Sequence, residues 1–95
     1  MAQLVAQGEV ERGIMICGSG IGMAVVANRY PGVYAGILWN EEVARFARAH
    51  DKVNVASIPA DFVSDKQAVA IIEAWLQAHF LGGRYQERIE AIDAL

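Results

Sequence analysis

The chain is short of cysteine, proline, aromatic rings and excess positive charge, and these shortages remove whole classes of protein. A single cysteine, Cys17, leaves no intramolecular disulfide framework, so the fold is held by burial and hydrogen bonding, and a lone thiol points to the reducing cytoplasm. The net charge of -3 gives no clustered basic surface of the kind that grips a phosphate backbone, so nucleic acid is set aside as a partner. No apolar stretch reaches the roughly 18 residues that span a bilayer, and no membrane is expected as a partner. The opening MAQLVAQGEVERG carries acidic residues where a secretory leader carries basic ones. One Cys and two widely separated His, His50 and His79, offer no ligand cluster for a metal.

What is abundant is apolar surface. Hydrophobic residues make up 55% of 95 positions, enough for one domain over 1–95 but rich for so short a chain. Part of that surface is expected to pack outside the chain, and oligomerisation is the simple answer.

Hydrophobic periodicity lays out alternating elements. Residues 2–8 (AQLVAQG) read as the last turns of a helix stopped by Gly8, so the chain is expected to begin within an element. Ile14 to Cys17 reads as a buried strand that breaks into Gly18-Ser19-Gly20-Ile21-Gly22 and continues as a helix from Met23 to Asn28. After the turn Tyr30-Pro31-Gly32, Val33 to Trp39 reads as a second strand. A helix follows, with Asn40 as its N-cap, Glu41 and Glu42 in its first turn, and Val43, Phe46 and Ala47 on its apolar face. Val53 to Ile58 is a third strand, ended by Pro59. Ser64 caps a long helix in which Val69, Ile72, Trp75, Leu76 and Phe80 keep helical spacing, until Gly82-Gly83 interrupts it. Residues 84–95 form a last amphipathic helix with Ile89, Ile92 and Leu95 on one side. Trp39 and Trp75 are expected as core or interface anchors. Strands alternating with helices imply a parallel sheet covered by helices, and three short strands make an incomplete one.

Chemistry concentrates at Cys17-Gly18-Ser19-Gly20-Ile21-Gly22, where a strand gives way to a helix. In open α/β sheets this is where ligands bind, and glycines let backbone N–H groups approach a phosphate or a developing oxyanion. The same positive field favours a thiolate, which makes Cys17 a candidate nucleophile or base. The same residues also suit a small buried side chain at a strand end followed by a tight turn. A dinucleotide fingerprint would need glycine where Met23 stands, a Walker loop would need Gly-Lys-Ser/Thr, and thioredoxin-like redox chemistry would need a second cysteine. His50, Asp51 and Asn54 bring an imidazole, a carboxylate and an amide to the loop before the third strand, either as an acid–base group or as the C-cap of the preceding helix. Arg84 and Arg88, four apart on one helix face, suit either a guanidinium fork for a phosphate or exposed pairing with Glu87 or Glu90.

In order and spacing these pieces resemble one family. GIMICGSGIGMAVVANR looks like the strand–Cys-Gly-Thr/Ser-Gly-x-Gly–helix signature of the ribose-5-phosphate isomerase B and galactose-6-phosphate isomerase family. ARAHDKVNV is similar to its histidine loop, and EAWLQAHFLGGRYQERIEAI to its Trp-containing helix and Gly-Gly-Arg segment. The resemblance implies a Rossmann-like α/β/α three-layer fold with a parallel sheet, here the C-terminal two-thirds of the family fold without its N-terminal strand. It implies a cofactor-independent aldose–ketose isomerase acting on ribose 5-phosphate or a related pentose or hexose phosphate. Cys17 would move a proton between C1 and C2 through a cis-enediolate, beside the Ser19 hydroxyl. The amides of Gly18, Gly20, Ile21 and Gly22 would hold the enediolate oxygens, His50 would assist ring opening, Arg84 and Arg88 would grip the phosphate, and Asn54 would help order the site. No metal or organic cofactor is implied, and the partners implied are a second copy, or a dimer of dimers, with each site shared between subunits. The chain departs from the family pattern in lacking the N-terminal strand that ends in Asp-His. It also carries Asp61 where an arginine is usual, Tyr85 where a histidine is usual, and Asp51 where Asn is common. The departures leave room for a different reading, a phosphosugar-binding subunit or remnant without turnover. A nucleotide-binding module on the same loop is a third.

Overall fold

The computed structural model describes all residues, Met1–Leu95, in the order α1 (Ala2–Ala6), β1 (Gly13–Cys17), α2 (Ile21–Ala27), β2 (Ala35–Ile37), α3 (Glu41–Asp51), β3 (Val55–Pro59), α4 (Asp65–Gln77) and α5 (Arg84–Asp93). The three strands form one parallel sheet in the order β1-β3-β2, with Cys17 opposite Pro59 and Ile37 opposite Ser57. The chain therefore leaves β1, skips one strand position to β2, and returns to the gap as β3. Parallel crossovers are right-handed, so two crossovers running in opposite directions lay α2 and α3 on opposite faces. This is the expected α/β class with helical layers on both sides.

Side chains of a strand alternate between its two faces, and β3 feeds both cores. Ala56 and Ile58 pack with Leu38, Ala44, Ala47, Ile71 and Trp75 under α3 and α4. Val55 packs with Met15, Ala27, Val33 and Val5 under α1 and α2. All five residues of β3 are buried, and Ser57 is the one buried polar side chain of the molecule. At the open edge β1 leaves Ile14 and Ile16 exposed on the α3–α4 face, and α2 exposes Met23, Val25 and Val26. Part of the apolar surplus of the composition lies on these surfaces, and the rest is spread over other exposed positions such as Phe62, Val69 and Leu81.

Helix ends follow local chemistry. Asn40 accepts from the Val43 N–H to cap α3, and Ser64 and Gln67 form a reciprocal capping box on α4. Several boundaries differ from the sequence reading: α1 ends at Ala6, β3 runs Val55–Pro59 rather than from Val53 to Ile58, and α5 ends at Asp93. α4 ends at Gln77, because Ala78 turns extended, so Phe80 lies beyond the helix. β2 is three residues rather than 33–39, since only Ala35–Ile37 lie in ladder register opposite β3, with flanking bonds at Tyr34 and Leu38. α2 begins at Ile21, two residues before Met23, because Gly20 in the left-handed region already turns the chain into the helix. The C-cap of α3 is Lys52, in the left-handed conformation, rather than His50. Trp75 is a core residue, whereas Trp39 is 55% exposed and is not.

Trp75 joins the two levels of this packing. It is fully buried, its indole Nε1–H donates to the Val53 carbonyl at 3.0 Å, and the Arg12 guanidinium lies 5.2 Å from its ring centre. Trp75→Phe removes one hydrogen bond and part of a filled volume. The Val53 carbonyl keeps the Arg48 guanidinium as a donor at 3.2 Å, so no buried acceptor is orphaned. The expected loss is about 2–4 kcal/mol in urea unfolding, and a loss below about 1 kcal/mol would show that Trp75 packs loosely.

Candidate active site

The loop from Cys17 to Gly22 sits at the carboxyl end of β1, and its carbonyls are tied to the segment leaving β3. The Ala60 N–H donates to the Cys17 carbonyl at 2.8 Å and the Asp61 N–H to the Gly18 carbonyl at 3.0 Å. The Gly20 carbonyl accepts from the Ser57 hydroxyl at 2.8 Å and from the Ala24 N–H at 3.2 Å. The amides face otherwise. Those of Gly18, Ser19 and Gly20 donate to no protein acceptor, and that of Ile21 donates to Ser19 Oγ at 3.2 Å. A loop with the carbonyls of Cys17, Gly18 and Gly20 committed and the N–H groups of Gly18, Ser19 and Gly20 free can receive negative charge. Glycine is required at Gly20, which has φ +78° and where a Cβ would stand 2.9 Å from Ser57 Oγ. A Cβ on Gly18 would stand 2.8 Å from a carboxylate oxygen of Asp61, the end of an exposed side chain that can turn aside. Cys17 is a free, half-buried thiol beside these amides, and Ser19 is exposed.

The other residues singled out from the sequence gather elsewhere. His50 closes α3, its ring stacked between Phe46 at 5.0 Å and Tyr85 at 4.3 Å. The guanidiniums of Arg84 and Arg88 lie 5.0 and 5.4 Å from the centre of the same Tyr85 ring. Neither arginine pairs with Glu87 or Glu90; the single salt bridge of the chain joins Arg45 and Glu41. Asn54 lies just before β3, where its side chain accepts from the Tyr34 N–H and donates to the Gly32 carbonyl, fixing the entry to β2. α3 runs back from the carboxyl end of β2 to the amino end of β3, so His50, Arg84, Arg88 and Asn54 stand at the opposite end of the sheet from Cys17. The separation is about the length of a five-residue strand, on the order of 15 Å.

One chain thus holds two separate groups of candidate residues: a thiol with free amides at one end, and an imidazole with two guanidiniums at the other. A cleft of about 510 Å³ between the starts of α3 and α4, lined by Trp39, Asn40, Glu42 and Lys66, includes none of these residues. No three His, Cys, Asp or Glu side chains converge as a metal group would need. Two contributors were not anticipated from the sequence. Ser57 is signalled only as a hydroxyl within the otherwise apolar VASIP strand, and the Tyr34–Asp93 pair, 59 residues apart, leaves no local signal.

A parallel α/β sheet with a glycine-rich loop and a thiol at a strand's carboxyl end is the frame of a small-ligand site. The family model described as Ribose/Galactose Isomerase matches residues 1–92, and the chain belongs to that family. It is 40% identical to ribose-5-phosphate isomerase B of Escherichia coli (strain K12), the match covering all of this chain and 64% of that protein. Its structure is similar to that of ribose-5-phosphate isomerase B from Clostridium thermocellum, with a TM-score of 0.96, 38% identity, and coverage of 98% of this chain and 63% of that one. The enzyme of the same name from Mycoplasma genitalium, solved with bound ribulose-5-phosphate, aligns with a TM-score of 0.94 and 38% identity over 98% of this chain and 62% of that one. The chain spans less than two thirds of the length of these relatives.

The end of α5 is anchored by Tyr34, whose hydroxyl lies 2.7 Å from both Asp93 oxygens. Burial, the hydrogen bond to Asp93 and the Asp93 charge push the Tyr34 hydroxyl from 10.0 up to about 12. A raised value means the neutral phenol is the form the fold prefers. Its contribution is complete below about pH 10 and is lost as pH rises through about 12. Tyr34→Phe should lower stability at neutral pH by about 1 kcal/mol or less and remove the phenolate absorbance step near pH 12. Persistence of that step in the variant would show that the Tyr34–Asp93 bond does not form.

Proposed function

We propose that this chain carries the reacting centre of a sugar-phosphate aldose–ketose isomerase, with ribose 5-phosphate and ribulose 5-phosphate as the first pair to test. The observation that carries the reading is the Cys17–Gly22 loop, a thiol beside backbone amides that have no acceptor of their own. Family membership and the resemblance of relatives named as ribose-5-phosphate isomerase B support it.

In the open-chain aldose, the Cys17 thiolate takes the proton from C2. The C–H pair becomes the C1–C2 double bond and the carbonyl pair moves onto O1, giving a cis-enediolate. The thiol returns its proton to C1 as an O2 pair forms the C2 carbonyl, and the O2 proton passes to O1. Charge develops on O1 and O2, where free N–H groups at Gly18 and Gly20 and the Ser19 hydroxyl stabilise it more than they stabilise the neutral sugar. The amide of Gly22 extends the loop's positive rim, and that of Ile21 acts through the Ser19 hydroxyl oxygen to which it donates. No step calls for a metal or an organic cofactor.

The phosphate is gripped at the other half-site. Arg84 and Arg88 supply two guanidiniums, His50 acts in ring opening, and Asn54 orders the strand entry beside them. Since these stand on the order of 15 Å from Cys17 in one chain, they meet a substrate held there only if they come from a second copy. We therefore propose a homodimer, or a dimer of dimers, with each site built from two chains of this one domain, working in the cytoplasm where the free thiol stays reduced. The Asp61 carboxylate beside Gly18 repels a phosphate from the thiol end and favours the orientation in which C1 and C2 face Cys17.

Cys17→Ala should abolish isomerisation of ribose 5-phosphate while substrate binding changes by less than about threefold, since a base acts in the transition state and the arginines bind throughout. Mixing inactive Cys17→Ala with inactive Arg84→Ala should restore part of the activity, because a mixed dimer holds one intact site. Complementation failing between two variants that each dimerise would overturn the shared site. Wild-type protein that binds the sugar phosphate without turnover would favour a binding subunit over an enzyme.

A further inference from the structure

We infer that Ser57 is a positioning residue of the reacting centre, acting through the Gly20–Ile21 peptide on the Ser19 hydroxyl. This rests on the isomerase reading and extends it to a residue outside the loop. Ser57 is fully buried in the middle of β3 and is the one polar side chain in the core. A buried hydroxyl is costly unless it is satisfied, and its proton goes to the Gly20 carbonyl at 2.8 Å. Of the groups that tether the loop's carbonyls, the donors on Ala24, Ala60 and Asp61 are backbone N–H groups; Ser57 alone tethers through a side chain.

The consequence follows from the planarity of the peptide. In a trans peptide the carbonyl and the next N–H point in opposite directions. Holding the Gly20 carbonyl into the sheet therefore turns the Ile21 N–H out toward Ser19, whose Oγ accepts from it at 3.2 Å. With a lone pair engaged by that donor, the Ser19 hydroxyl keeps its own proton free to donate to an enediolate oxygen. The relay is Ser57 O–H to the Gly20 carbonyl, then Ile21 N–H to Ser19 Oγ, then Ser19 O–H to substrate, and hydrogen bonds in series polarise one another. The left-handed Gly20, φ +78°, is what lets its carbonyl face β3, and the 2.9 Å approach of Ser57 Oγ to a Cβ built there leaves room for no larger residue. Ser57 touches no substrate atom.

Ser57→Ala tests this, with Ser57→Cys as a near-isosteric variant bearing a weaker donor. For turnover, Ser57→Ala should lower kcat about tenfold and leave KM within about threefold, with Ser57→Cys in between. In the Ser19→Ala background the same substitution should cost less than about twofold, because its effect passes through Ser19. Independently of turnover, amide exchange at Ile21 should accelerate about tenfold in Ser57→Ala while amides of Val55 and Ile58 hold. Equal kcat losses with and without Ser19, or an unchanged Ile21 amide, would overturn the relay. If wild-type protein turns over no sugar phosphate, the isomerase reading falls, and Ile21 exchange still decides whether Ser57 orders the loop.

Discussion

A parallel strand paired on both edges can reach no water, so everything it carries must be satisfied by the elements around it. β3 is such a strand, and its two neighbours and four packing helices are arranged by that condition. Its backbone is bonded to β1 on one side and β2 on the other, and its side chains alternate between the α1–α2 and α3–α4 cores. Neither core has a separate centre; each contains one face of β3. The crossovers that put a helix layer on each face exist because β3 is third in sequence and second in space.

The same condition makes the chemistry at the end of β1. A hydroxyl at Ser57 cannot turn to solvent, so it must find an acceptor inside, and the nearest is the loop that follows the adjacent strand. Where β3 runs out, the N–H groups of Ala60 and Asp61 likewise take the carbonyls of Cys17 and Gly18. The result is a loop in which the Cys17, Gly18 and Gly20 carbonyls are taken by the interior while the Gly18, Ser19 and Gly20 N–H groups have no protein acceptor. That polarity is preorganised by folding, so orienting it requires no further reorganisation when charge develops.

Much of this was legible in the sequence, for local reasons. Gly18-Ser19-Gly20 between an apolar run and a helix, Asn40 before Glu41-Glu42, and Ser64 three residues before Gln67 each act within a few residues, and each stands where the pattern put it. The misplacements are equally physical. Val33 to Trp39 is apolar throughout, but only three of its residues lie opposite β3, and register is a tertiary property. Phe80 keeps the spacing of α4 yet falls beyond its last turn, next to Lys52, whose amine lies 5.5 Å from its ring. The Tyr34–Asp93 bond and the role of Ser57 join residues far apart in sequence, and periodicity carries no information about such pairs.

The division of candidate residues between the two ends of the sheet bears on how a short α/β chain can act on a long substrate. An open-chain sugar phosphate, the substrate class proposed above, has its reacting carbons at one end and its charge at the other, so on that reading the two groups would face each other across a gap of sugar length. Within one chain a strand separates them and both point outward. In the dimer proposed above, a second copy would reverse the direction of one group, so that an imidazole and two guanidiniums of one chain would confront the thiol and amides of the other. Among the exposed apolar residues, Ile14 and Ile16 on β1 and Met23, Val25 and Val26 on α2 border the thiol-bearing strand and its loop. An association that covers them would dry the neighbourhood of Cys17, strengthening the hydrogen bonds the loop offers to a developing negative charge.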